Sequence, residues 1–253
     1  MKKVIRLVKR NFIATIDTAF LIWQIFFPLL YLFIAGYAYA SIIEGVELAD
    51  KKIEYPAFIA SGIIGLNIMN SSVTAGSMIW NDKRTGMFEQ ILMLPFTRMD
   101  YVMSNIITII IIGIISAGIV IFASIPTVFN GIEISLSSIQ FLLLAILLGS
   151  IFFGSIAIIA SIKFKSNEGF QTMLNTTFIF FAFVSTTFYP AEGAPEPLSI
   201  AFHINPLTYV VNIIRAGLFN SIYDFLYIEI IILTIISIIT FTVATRLLVR
   251  LNV

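Results

Sequence analysis

The groups in this 253-residue chain that can do chemistry are few and of a restricted kind. There is no cysteine, so thiolate nucleophiles and disulfides are excluded, and a single histidine, His203, rules out a His-rich metal site. No G-x-x-x-x-G-K-[ST] segment occurs, so the chain binds no nucleotide through a P-loop. His203 lies outside the apolar runs, which leaves hydrolytic chemistry without a nucleophile–base pair in the membrane; no catalytic residue is assigned. What the chain does carry is uncharged. Asn67, Asn70 and Thr74 share one helical face, and Gln171, Thr172, Asn175 and Thr176 are followed by Phe178, Phe181 and Phe183. In lipid such amides face other helices, a cavity or water. Two uses are open: interhelical hydrogen bonds, or a path for an amphipathic solute lined by Asn67, Asn70, Thr74, Gln171, Asn175 and Phe178.

Composition dictates what positions these residues. The chain is 59% hydrophobic and 11% charged, whereas a soluble domain carries roughly 25% charged residues. It reads as a polytopic helical membrane protein. Spans are expected at about 20–42, 57–80, 101–125, 138–162, 170–189 and 225–248. Of the 15 Lys and Arg, 12 lie on the N-terminal segment, the 81–100 and 163–169 loops and the C-terminal end; the others are Lys51, Lys52 and Arg215. The excess places both termini in the cytoplasm. The opposite loops are acidic, with Glu44, Glu47, Asp50, Glu54, Glu133, Glu192, Glu196 and Asp224. No ionisable residue falls at mid-membrane; Glu229 is near the outer end of the last span and Arg246 near its inner end. Proton- or voltage-driven machines place charge there despite a cost of at least ~2.5 kcal/mol, so the driving force is expected to come from elsewhere. No loop has room for a soluble domain, and residues 1–253 read as one membrane domain without a repeat.

Three stretches flank the spans. Residues 1–18 set Lys2, Lys3, Arg6, Lys9 and Arg10 against Val4, Ile5, Val8, Phe12 and Ile16, a basic amphipathic helix for the cytoplasmic leaflet. Ala38-Tyr39-Ala40 mimics a signal cleavage site, but the apolar run before it is too long, so a retained span is expected. Trp80–Arg98 has cytoplasmic flanks. Met87, Phe88, Ile91, Leu92 and Leu94 form an apolar stripe, Pro95 ends that helix, and Thr97-x-x-Asp100 is a capping box for the next span. Such a helix either docks in a groove on a soluble partner or lies at the lipid interface. On the outer side, Pro190, Pro195 and Pro197 break the chain and Asn205-Pro206 caps a new helix. Its face Leu207, Val210, Val211, Ile214 and Leu218 is opposed by Asn212 and Arg215, with Gly217 as the stop. Being short and polar, it is expected to be interfacial or re-entrant.

Three segments carry a resemblance: Tyr55-Pro-Ala-Phe-Ile-Ala-Ser-Gly-Ile-Ile; Asn81-Asp-Lys-Arg-Thr-Gly-Met-Phe-Glu-Gln-Ile-Leu-Met-Leu-Pro-Phe-Thr-Arg; and Asn205-Pro-Leu-Thr-Tyr-Val-Val-Asn-Ile-Ile-Arg. Over nearly the whole chain the sequence resembles the ABC-2 type permeases, membrane subunits of ABC exporters such as the daunorubicin-resistance type. The resemblance implies an all-α fold with six transmembrane helices, an elbow helix over 1–18, a cytoplasmic coupling helix within 82–98 and outer re-entrant helices over 190–219. It implies a non-catalytic subunit in a prokaryotic cell membrane, paired with a second copy and with two ATPase subunits that bind ATP and Mg; no nucleic acid is implied. Gly86, Glu89, Leu92, Pro95 and Arg98 match the family pattern, and Phe88, Ile91 and Leu92 are expected to form the ATPase-docking face. Met87 departs from the family's usual threonine, and Asn81-Asp82 from its commoner Arg-Glu or Glu-Arg. The implied cargo is a drug-like, lipid or other amphipathic solute. A lipid-linked glycan permease and an autonomous secondary transporter are the alternatives.

Overall fold

A computed structural model of the chain describes residues 2–16, 18–36, 38, 45–48, 51–125, 128–129, 135–223 and 225–250. Its helices are α1 (Lys2–Thr15), α2 (Thr18–Tyr31) running into a π-helical turn (Leu32–Gly36), α3 (Tyr55–Arg84), α4 (Met87–Met93), α5 (Arg98–Ser124), α6 (Leu136–Lys163), α7 (Asn167–Phe183), α8 (Glu196–Ile204), α9 (Pro206–Phe219) and α10 (Leu226–Val249). Side-chain caps fix several starts. Thr97 and Asp100 form the reciprocal box at α5, with Asp100 N donating to Thr97 Oγ1 at 3.0 Å and Thr97 N to Asp100 Oδ2 at 2.9 Å. Asn205 Oδ1 accepts from Leu207 N at 2.9 Å, with Pro206 as the first residue of α9. That helix runs past Gly217 and stops at Asn220, which takes the left-handed conformation (φ 49°). Gly217 instead lets α9 approach α6, where a Cβ would meet the Ser138 carbonyl oxygen at 2.9 Å.

Helices α3, α5, α6 and α10 are long and apolar enough to cross a bilayer. The pair α8–α9, bent by 79°, counts as a fifth if it is one broken span. The remaining expected spans emerge shorter. The 20–42 stretch is α2 and its π turn as far as Gly36; of the rest only Ala38 is among the described residues. The 170–189 stretch is α7, 17 residues ending at Phe183. Beyond it Ser185 Oγ bonds Ala182 O and Thr187 Oγ1, each at 2.8 Å, so side-chain hydroxyls take over from the helical ladder. Glu44, Asp50, Glu133 and Asp224, with Tyr39 and Ala40 of the cleavage-like triplet, lie outside the described residues.

An all-helical expectation misses one feature. Val46–Leu48 (β1) and Lys51–Ile53 (β2) pair antiparallel as a small hairpin with Val46 opposite Ile53, both buried. The segment is too short for its period-2 pattern to stand out among charged residues. Lys51 Nζ donates to the carbonyls of Phe219 and Asn220, each at 3.1 Å, closing the end of α9 with a cation.

The core is centred on α3 and α6, with α9 against both and α5 and α10 alongside. Gly76 marks the close approach of α3 and α6: a Cβ there would collide with the Ala157 carbonyl of α6. A second, smaller cluster joins Leu7, Phe88, Ile91, Tyr101 and Leu248 at the other end of α3.

Candidate functional site

Helix α3 continues beyond its apolar part through Asp82 to Arg84, and α5 begins only 14 positions after that end, at Arg98, with α4 strung between them. Asp82 is buried and collects three donors. Arg10 of α1 engages both carboxylate oxygens, Nη1 at 2.6 Å from Oδ2 and Nη2 in the ion pair with Oδ1, and Tyr101 OH donates to Oδ2 at 2.7 Å. The hydrogen-bonded carboxylate raises the Arg10 pKa above its ordinary value. Next to it Asn11 donates from Nδ2 to Ser104 Oγ at 3.3 Å and to Asn105 Oδ1 at 3.2 Å. The Tyr101 ring packs edge-to-face on Phe88, centroids 5.2 Å apart. One buried tyrosine therefore touches both the polar joint between α1 and α3 and the apolar seat of α4.

The predicted docking residues divide. Gly86 holds φ +70° at the N-cap of α4, a conformation that favours glycine. Phe88 (2% exposed) and Ile91 are turned into the chain's own bundle, which corrects the expectation that they face a partner. The reason is energetic: a seven-residue helix has no stability of its own and is held by its largest apolar side chains. Leu92 is half-buried, Pro95 is exposed, and Met93 (87%) and Leu94 form an exposed apolar end. Glu89 Oε2 is buried without a partner among the described residues. Arg98 does not face outward alone, since its Nη1 donates to the last carbonyls of α10, at Leu248 and Val249.

The predicted lining residues also separate. Asn70 and Thr74 continue into Ser77 and Asn81 on one face of α3, and with Arg10, Asn11 and Thr15 they bound a cleft of about 390 Å³. Asn67 turns to α2, where Oδ1 accepts from Gln24 Nε2 at 3.3 Å, and Nδ2 is unpartnered among the described residues. Gln171, Asn175 and Phe178 do not join that cleft. Phe178 is buried edge-on to Phe153, centroids 5.7 Å apart, Gln171 is half-buried, and Asn175 is exposed beside Thr172 and Thr176.

At the opposite end of α3 the expected polar face of α9 is covered as well as its apolar face. Arg215 is 2% exposed, because α9 is enclosed by α3 and α6. Its Nε donates to Ser61 Oγ at 3.1 Å, its Nη2 to Thr186 O at 2.7 Å, and its guanidinium carbon lies 3.8 Å from the Phe58 ring centroid. Nearby Glu229 accepts from Asn212 Nδ2 at 3.0 and 3.2 Å and from Tyr223 OH at 2.6 Å. His203, in the last turn of α8, bonds the Ser199 carbonyl through Nδ1 at 2.7 Å. Arg215, Phe58, Thr186, Asn212, Glu229 and His203 line a cavity of about 290 Å³.

Sequence reasoning missed Arg10, Asp82, Tyr101 and Arg215 as site residues; the signal available for Asp82 and Tyr101 was a charge or phenol at a span edge. The profile of a family described as "ABC-2 type transporter" matches residues 2–219, a stretch that takes in α1 to α9. No curated protein matches the chain.

Proposed function

The chain belongs to the ABC-2 type transporter family as a multi-pass membrane permease, and we propose that it is the transport-path subunit of an ATP-driven exporter whose ATP and Mg are bound by a separate ATPase. In this reading α2 and α7 complete six spans, both termini are cytoplasmic, two copies form the path, and the cargo is an amphipathic solute. Residues 1–18 are the elbow, 82–98 the coupling segment and 190–219 the outer re-entrant segment of one membrane domain.

The observation that carries the reading is how α4 is mounted. It sits between two long helices whose facing ends are tied by the Tyr101–Asp82 bond, and Phe88 fixes it on Tyr101. A push on α4 from outside the bundle is thereby delivered to α3, α5 and, through Arg10, α1. Its outward side offers an ATPase the exposed Met93 and Leu94 and half-buried Leu92. A second copy is supported by Asn70 and Asn175, exposed amides on helices that lie in the bilayer in this reading, where they need protein or water beside them.

The test is co-purification in detergent with a Walker-motif ATPase encoded beside the permease. Wild type should retain the ATPase, and Leu92→Asp and Glu89→Lys should lose it and abolish export while inserting normally. Export at the wild-type rate by either variant, at normal membrane abundance, overturns the coupling role.

A further inference from the structure

Arg215 is a cation removed from water with no carboxylate against it among the described residues. Two of its nitrogens are used, on Ser61 and Thr186, and Nη1 has no hydrogen-bond partner among the described residues. Thr186 lines the same cavity, and its buried Oγ1 is likewise unpartnered among the described residues. A buried charge without a counter-ion is costly, and a guanidinium edge beside a hydroxyl is the arrangement that binds an oxyanion. A bare anion does not fit, however. The same cavity carries Glu229, whose oxygens are already bonded, and also Glu47 (opposite Lys52 in the hairpin) and Glu192. Glu47, Pro190 and Glu192 are shared with a neighbouring cavity of about 400 Å³ walled by Tyr31, Tyr55, Phe183, Phe188 and Tyr189. Aromatic faces beside carboxylates favour an organic ammonium, and Phe183 in this wall is 58% exposed.

We propose that the two joined cavities bind the headgroup of a zwitterionic amphiphile, its phosphate or carboxylate on Arg215 and Thr186 and its ammonium between Glu47, Glu192 and the aromatic wall. That this ligand is cargo rests on the permease reading; that it binds does not, and the purified chain alone tests it. The probe is radiolabelled dodecylphosphocholine added to the protein in dodecyl maltoside without any ATPase, with dodecyl phosphate and dodecyltrimethylammonium as competitors. Saturable binding is expected, displaced roughly tenfold less well by either singly charged competitor. Arg215→Met should weaken it by about tenfold or more and the near-isosteric Thr186→Val by about threefold. The paired variant Glu47→Gln/Glu192→Gln, on exposed side chains, should weaken the zwitterion while dodecyl phosphate binds at least as well as before. Unsaturable partitioning, equal displacement by dodecyl phosphate, or wild-type binding by Thr186→Val and the paired variant overturns the proposal. Absent binding alongside ATPase-coupled export removes this site and leaves the permease reading standing; intact binding with no ATPase dependence does the reverse.

Discussion

Two arginines leave bulk water near opposite ends of α3, and the chain treats them differently. Arg10 meets Asp82, and Arg215 meets Ser61, 21 residues earlier and so about 30 Å away along the helix. At Asp82 the charge finds a carboxylate that also takes the Tyr101 hydroxyl, and Phe88 closes over the ring of the same tyrosine. At Ser61 it finds a hydroxyl, a carbonyl and a ring, but no opposite charge among the described residues. Pairing a charge within the chain makes a joint, useful for transmitting position. Leaving it unpaired contributes little to stability and keeps it available to something else.

Stability measurements in detergent can break that contrast. The largest loss is expected from Phe88→Ala, about 3–4 kcal/mol for a buried phenyl, with faster hydrogen exchange over 87–93 as α4 comes loose. Asp82→Ala follows at about 2–3 kcal/mol: Arg10 is left unpaired and Tyr101 loses its acceptor, discounted because the Arg10 side chain is 32% exposed. A thermal midpoint lower by roughly 4–10 °C would report it in a chain of this size. Tyr101→Phe, which keeps the ring on Phe88 and removes only the hydroxyl, should cost about 1 kcal/mol. Asp82→Ala costing no more than Tyr101→Phe would mean that the ion pair is not the joint described.

The fold was legible where a single physical rule decides it. Apolar length gave the four long helices, and Thr97/Asp100 and Asn205-Pro206 announced their helix starts because capping is local. What was hidden depends on partners distant in sequence. Arg10 and Asp82 are 72 positions apart, and neither shows in sequence that it seeks the other. Phe88 and Ile91 were legible as an apolar face, but periodicity does not say whether that face is covered by the chain itself or by a partner. Arg215 was misplaced for a related reason. A helical wheel sorts residues by type, and α9 is enclosed on the side that the wheel assigned to solvent.

The smallest expected effect is the most discriminating. Arg215→Met removes a cation–π contact and two hydrogen bonds, yet it also removes the cost of holding a guanidinium out of water without a counter-ion. Ser61 loses little, since its hydroxyl still donates to Phe58 O at 2.6 Å. Only the Thr186 carbonyl is left without that donor, and the methionine stem fills much of the vacated space. Those terms oppose one another, so the thermal midpoint should stay within about 1 kcal/mol equivalent of wild type, far from the loss for Asp82→Ala. A destabilisation as large as that of Asp82→Ala would show that Arg215 is a joint of the same kind as Arg10. Its unpaired state would then say nothing about a ligand.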